Sequence, residues 1–156
     1  RKEMDLILWR HAHAHRAIDP EPDLARALTA KGIQNAARMA RWLGRRLPKN
    51  VRILCSPAVR AEQTVQSLQR PYQLCEATEP GAGVDALSRL VGDPQSKGTL
   101  LLVGHQPDLG RFAAHLMGLG DIALDMPKAS IWWLRSRPNQ AELRFHIISV
   151  MSPKQL

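Results

Sequence analysis

The sequence predicts a three-layer α/β/α fold, with a mostly parallel central sheet and helices on both faces. Three observations lead there. Apolar runs of strand length alternate with helical patterns four times before two final strands, and that alternation calls for crossover connections. GTLLLVGH (98–105) is apolar almost throughout, as a strand covered on both faces must be. The polar residues with chemical capacity follow directly after apolar runs, where open parallel sheets place their ligands.

DLILW (5–9) is a short apolar run ending in a polar site, read as a buried strand. Thr29 is a suitable N-cap for a helix running through Arg46, with Ile33, Ala36, Ala37, Ala40, Leu43 and Leu47 at helical spacing. Pro48 stops it. VRILC (51–55) is a second strand. Ser56-Pro57 then reads as an N-cap with proline in the first helical position, which predicts a helix over about 57–69. YQLCEA (72–77) is a third strand, PGAG (80–83) a turn, and a helix follows near 84–92. Behind the 98–105 strand, Pro107 opens a helix that ends near Gly118 and Gly120. ASIWWLRS (129–136) and ELRFHIISV (142–150) read as strands in a more antiparallel arrangement. No repeat, low-complexity tract or linker interrupts the chain, so residues 1–156 are expected to form one domain.

Composition narrows the function. The apolar fraction of 44% is that of a globular protein, and no apolar run approaches the roughly 20 residues that span a bilayer. No secretion signal is read in RKEMDLILWRH, and Cys55 and Cys75 fall in no CxxC pattern. Both are expected to be thiols in a reducing cytoplasm. Net charge is +8, from 22 basic and 14 acidic residues, which raises nucleic-acid binding as a possibility. The basic residues are scattered, however, except for Arg38, Arg41, Arg45 and Arg46 on one helical surface. With 4% aromatic residues there is no stacking platform, so a solvated face is favoured over a nucleic-acid site. The same field favours an anionic substrate.

WRHAHAHR (9–16) puts His11, His13 and His15 on alternate positions, a spacing that suggests metal, while Arg10 suggests phosphate. Two further sites follow strands: Ser56-Pro57 with Arg60, and Gly104-His105. The sheet could bring all three to one edge. Arginine offers a planar fork that matches phosphate oxygens, and Arg60 lies in the first turn of its helix, where the dipole also favours an anion. A neutral histidine nitrogen can attack phosphorus, and a second histidine can stabilise the equatorial oxygens. No metal or other cofactor is then needed.

RHAHA (10–14) resembles the RHG motif of the histidine phosphatase superfamily, the phosphoglycerate-mutase-like group. SPAVRAEQT (56–64) is similar to its Ser-Pro … Arg-Ala-x-Gln-Thr signature, and VGHQP (103–107) to its Gly-His pair. Chain length and MPKASIWWL (126–134) look most like the SixA-type phosphohistidine phosphatases. The resemblance implies His11 as the nucleophile, Arg10 and Arg60 as phosphate clamps, and His105 as the second pocket histidine. Gln63 and Thr64 would support the helix. It also implies a phosphorylated substrate such as a phosphohistidine-bearing protein, and a monomer. His13 is a candidate substrate contact or an exposed loop residue; His15 reads as surface, and His115 and His146 carry no assigned chemistry.

Two positions depart from the pattern. Ala12 replaces the motif glycine and would be strained at positive φ; Gln106 stands where asparagine is common, at an expected N-cap. No motif marks a general acid: Glu76, Glu79 and Asp85 lie in the plausible region, and SixA-type members lack a dedicated one. An imidazole leaving group (pKa about 6.5) tolerates that better than an alkoxide. A metal-dependent amidohydrolase, the other family with an early His-x-His, is a barrel of about 250 residues, too long for this chain. The competing class is a non-catalytic binder of phosphate or nucleic acid that has lost turnover through Ala12.

Overall fold

Strand β1 (Met4–Arg10) lies near the middle of a six-stranded sheet, which it shares with β2 (Arg52–Cys55), β3 (Gln73–Leu74), β4 (Gly98–Gly104), β5 (Ile131–Ser136) and β6 (Phe145–Met151). The computed structural model describes residues 3–92, 98–137 and 144–156. The strand order is β3-β2-β4-β1-β5-β6. The first four strands run parallel; β5 is antiparallel to β1, and β6 to β5. The α/β class and the mostly parallel sheet match the sequence reading.

Strand side chains alternate between two cores, as the pleat requires. Ile7, Trp9, Ile53, Cys55, Leu101 and Val103 face α1 (Ala30–Gly44) and α2 (Val59–Gln66). Leu6, Leu8, Leu54, Leu100 and Leu102 face α3 (Val84–Gly92) and α4 (Asp108–Leu116). A strand buried on both faces has no polar alternation to show, which is why β4 reads as one continuous apolar run. Thr29 caps α1 as expected, its hydroxyl accepting from the Gly32 N–H at 3.1 Å.

Several elements differ from expectation. Ile33 is 55% exposed, because the buried stripe of α1 runs through Gly32, Ala36, Met39, Ala40 and Leu43. The helix also ends at Gly44 rather than Arg46. α2 starts at Val59, two residues late, because the Ser56 hydroxyl accepts from Ala58 N–H just before the helix. The third strand shrinks to Gln73–Leu74, since the chain turns into a 3-10 segment at Glu76–Thr78. Pro107 rather than Gln106 is the cap residue of α4, although the Gln106 side chain accepts from Gly110 N–H at 2.7 Å. The start of the last predicted strand, residues 142 and 143, lies outside the described residues. Both cysteines are free, Cys55 buried and Cys75 partly so.

Candidate active site

Strands β2, β4 and β1 are neighbours in the sheet and end level with one another. Arg10 pairs with Gly104, and Cys55 with Val103. The residues that follow therefore leave one edge together, and His11 N–H bonds to the Gly104 carbonyl while Ser56 N–H bonds to the Val103 carbonyl, both at 3.0 Å. This register brings His11 and His105 together. Their ring centroids lie 5.1 Å apart and the rings are tilted by 53°.

Each ring is oriented. His11 Nδ1 lies 2.8 Å from the Ala12 carbonyl, which can only accept, so Nδ1 carries the proton and Nε2 keeps its lone pair. His105 Nε2 lies 2.7 Å from the Ser56 hydroxyl. Both rings are buried, and burial is the main cause of their low pKa values, about 4 for His11 and about 3 for His105. Arg60 and Arg10 depress both further, so the four groups share one electrostatic neighbourhood. Both imidazoles are neutral at neutral pH.

The arginines are held from behind. Arg10 Nη1 donates to the Met126 carbonyl at 2.8 Å, with Asp125 in electrostatic range. Arg60 is 3% exposed; Nη1 donates to the Asp23 backbone carbonyl at 2.9 Å and Nη2 to its carboxylate at 3.1 Å. Asp23 thus takes the end of the guanidinium fork and leaves the Nε edge. Arg10 Nε, Arg60 Nε and His105 Nδ1 are buried and have no hydrogen-bond partner. Seven buried side-chain polar atoms lack a partner among the described residues, and the three of them on Arg10, Arg60 and His105 form a group that suits a ligand rich in oxygen.

The other predicted residues spread out. His13 is partly exposed, its Nδ1 2.7 Å from the Thr29 hydroxyl, and His15 is exposed. The HAHAH run therefore does not converge, and no group of three or more metal-ligating side chains occurs among the described residues. Ala12 is buried, and its φ is not among the positive ones, so the strain feared for it does not arise. Its N–H donates to the Thr64 hydroxyl at 3.0 Å, while Gln63 accepts from Leu28 N–H at 2.7 Å. The tail of the SPAVRAEQT motif thus ties α2 to the histidine loop. Gly32 lets α1 approach that loop, since a Cβ there would lie 2.0 Å from the His13 carbonyl oxygen. Of the three candidate acids, Glu76 and Asp85 are exposed and Glu79 is partly so; no hydrogen bond or ion pair ties any of them to His11 or His105 among the described residues.

Three contributors were missed. Asp23 sits in a 3-10 turn, Asp23–Ala25, that no periodicity announces. The 126–130 loop clasps the end of β1: Ala129 N–H bonds to the His11 carbonyl, Arg10 N–H to the Ser130 carbonyl, and Trp9 Nε1 to the Ala129 carbonyl. Ser56, read as a helix cap, is fully buried beside His105.

Comparison with known proteins shows the family. The model of the histidine phosphatase superfamily (branch 1) matches residues 6–81. The phosphohistidine phosphatase SixA of Escherichia coli (strain K12) is 30% identical over 121 residues, covering 72% of this chain and 74% of that protein. The chain is a SixA-type member of the histidine phosphatase superfamily. A protein of Picosynechococcus sp. is 35% identical over 165 residues, covering 98% of this chain and 99% of its own length. A SixA protein histidine phosphatase solved with tungstate superposes with a TM-score of 0.81 at 24% identity, over 97% of this chain and 98% of that one, which establishes the common fold. Membership of the superfamily places this SixA-type chain among phosphatases.

Proposed function

We propose that the chain is a metal-independent phosphatase that works through a phosphohistidine intermediate, with protein-borne phosphohistidine as its substrate. The observation that carries this reading is the set of three buried nitrogens on Arg10, Arg60 and His105 without a partner among the described residues, next to a histidine whose Nε2 keeps its lone pair because Nδ1–H is bonded to the Ala12 carbonyl.

His11 Nε2 attacks phosphorus in line. A bond forms between that nitrogen and phosphorus while the bond from phosphorus to the leaving group breaks. Arg10, Arg60 and His105 hold the equatorial oxygens, where charge concentrates as the phosphoryl group passes. Water then attacks the phosphorylated His11 and releases inorganic phosphate. Asp23 is the carboxylate bonded to Arg60, and its ion pairs with Arg26 and Arg60 hold it ionised, so it has no proton to donate. With no carboxylate hydrogen-bonded to His11 or His105 among the described residues, a leaving group that needs little acid assistance is favoured; an imidazole that takes a solvent proton on its other ring nitrogen leaves neutral, with a pKa of about 6.5. Ala12 is unstrained, which removes the departure that suggested a binder without turnover.

The test is incubation with phosphoramidate followed by mapping of the label. Acid-labile phosphate on His11, together with steady release of inorganic phosphate, is expected. Undiminished turnover by His11→Ala ends the proposal.

A further inference from the structure

We propose that Ser56 is a positioning residue: its hydroxyl donates to His105 Nε2 and so holds that imidazole in the Nδ1–H form, with a donor left for the phosphoryl group. The inference rests on the function proposed above for the role of His105, but the tautomer itself does not depend on it.

The argument is one of hydrogen-bond capacity. Ser56 Oγ has one proton and two lone pairs. One lone pair accepts from Ala58 N–H at 3.1 Å. The other close polar partner of the hydroxyl is His105 Nε2, at 2.7 Å. Ser56 is fully buried, so water cannot take its proton. Two arrangements satisfy this distance. If His105 Nε2–H donated, the serine proton would be buried without an acceptor, and His105 Nδ1 would be a bare lone pair, equally without a partner. That lone pair would repel phosphate oxygens. If the serine donates, its own proton is satisfied, and the only unpaired group is a His105 Nδ1–H, which an oxyanion satisfies on arrival. One arrangement leaves two buried groups unmet and the other leaves one that the ligand completes. The bond at one ring nitrogen thereby sets the chemistry of the other.

The same serine starts the segment leading to Arg60. Through Ala58 N–H it fixes the entry into α2, whose first turn carries that arginine. One buried hydroxyl therefore links the geometry of the second strand-end site to the protonation of the third.

Long-range proton–nitrogen correlation on protein labelled with nitrogen-15 histidine, at neutral pH and without ligand, reads the tautomer directly; loss of signals in His105→Asn assigns the ring. The expected spectrum shows pyrrole-like Nδ1 and pyridine-like Nε2. The reverse pattern in the wild-type protein overturns the proposal, and this needs no variant to fold. In Ser56→Ala the signals are expected to move toward the reverse pattern or an average, with kcat for phosphoramidate lowered about a hundredfold and KM changed less than about threefold. Ser56→Thr, which keeps a hydroxyl, restores the Nδ1–H spectrum. An unmoved spectrum in a folded Ser56→Ala protein also overturns it. A wild-type protein with the Nδ1–H spectrum but no turnover supports the tautomer and defeats the phosphatase reading alone.

Discussion

The molecule carries two groups of arginines, and they differ in almost every respect except charge. At the carboxyl edge of the sheet, Arg60 is buried and Arg10 half-buried; Met126 braces Arg10 and Asp23 braces Arg60, and each keeps a buried Nε without a partner among the described residues. At the other end of α1, roughly 20 Å along a helix that begins beside His13, Arg38, Arg41, Arg45 and Arg46 surround a shallow cavity of about 300 Å³ with Trp42 and Leu156. There Arg46 lies over the Trp42 ring at 4.3 Å and donates to the Trp42 carbonyl, while Arg38 donates to the Leu156 carbonyl. Arg41, Arg45 and Arg46 are exposed. On the proposed function, phosphate recognition follows desolvation and fixed geometry, which a count of positive charges does not locate.

The largest effect is expected at the edge that holds both histidines. His11→Ala should lower phosphatase turnover by at least about a thousandfold, since in the proposed mechanism His11 carries the covalent intermediate. Arg60→Lys keeps the charge and loses the fork; kcat/KM for phosphoramidate should fall about a hundredfold. A variant within threefold of wild type would show that charge alone suffices, and the contrast between the two arginine groups would lose its basis.

Asp23 tests the bracing itself. With the end of the Arg60 fork released in Asp23→Ala, the guanidinium can turn away from its productive pose. KM for phosphoramidate is expected to rise about tenfold with little change in kcat, and tungstate inhibition to weaken in parallel. Asp23→Asn, which keeps an acceptor, should lie between. An unchanged KM would leave Arg60 positioned by α2 alone.

The depressed histidine pKa values predict behaviour on the acid side. In the free protein His11 and His105 stay neutral down to about pH 4 and about pH 3, whereas the unfolded chain takes up protons near 6.5. The acid limb of kcat/KM contributed by His11 should therefore lie near pH 4. Because the unfolded state binds more protons between 6.5 and 4, stability falls as pH falls through that window. The urea midpoint at pH 5 should be below that at pH 7.5, and the gap should narrow in His11→Gln.

Much of this was legible because parallel strands buried on both faces are simple to read, and because they carry their chemistry at their carboxyl ends. Arg10 ends a strand and His11, Arg60 and His105 each follow one closely, so topology alone proposes their meeting. What escaped notice was whatever acts through the tertiary fold. Asp23 reaches Arg60 across 37 residues from a turn without periodicity, and Met126 reaches Arg10 across 116. Ser56 was visible but misread: a Ser-Pro pair before a helix has the signature of a cap, and only the neighbouring strand shows that its hydroxyl serves His105. Ala12 erred the other way. The worry assumed a left-handed backbone, and the chain turns there without one, held by Thr64.

The smallest expected effect completes the contrast. Arg41→Glu and Arg45→Glu each reverse an exposed charge that makes no ion pair among the described residues. The site lies more than a Debye length away at physiological salt, about 8 Å, so the lost field is largely screened. Turnover of phosphoramidate should stay within about twofold of wild type in both variants, and relieving repulsion among neighbouring guanidinium groups should leave Tm unchanged or slightly raised. A stronger loss at 0.01 M salt, where the Debye length reaches about 30 Å, would show long-range steering of the anion toward the edge. A loss that persists at 0.15 M salt would mean that the far end of α1 is coupled to the site through the helix, with Thr29 and Gly32 as its contacts to the histidine loop.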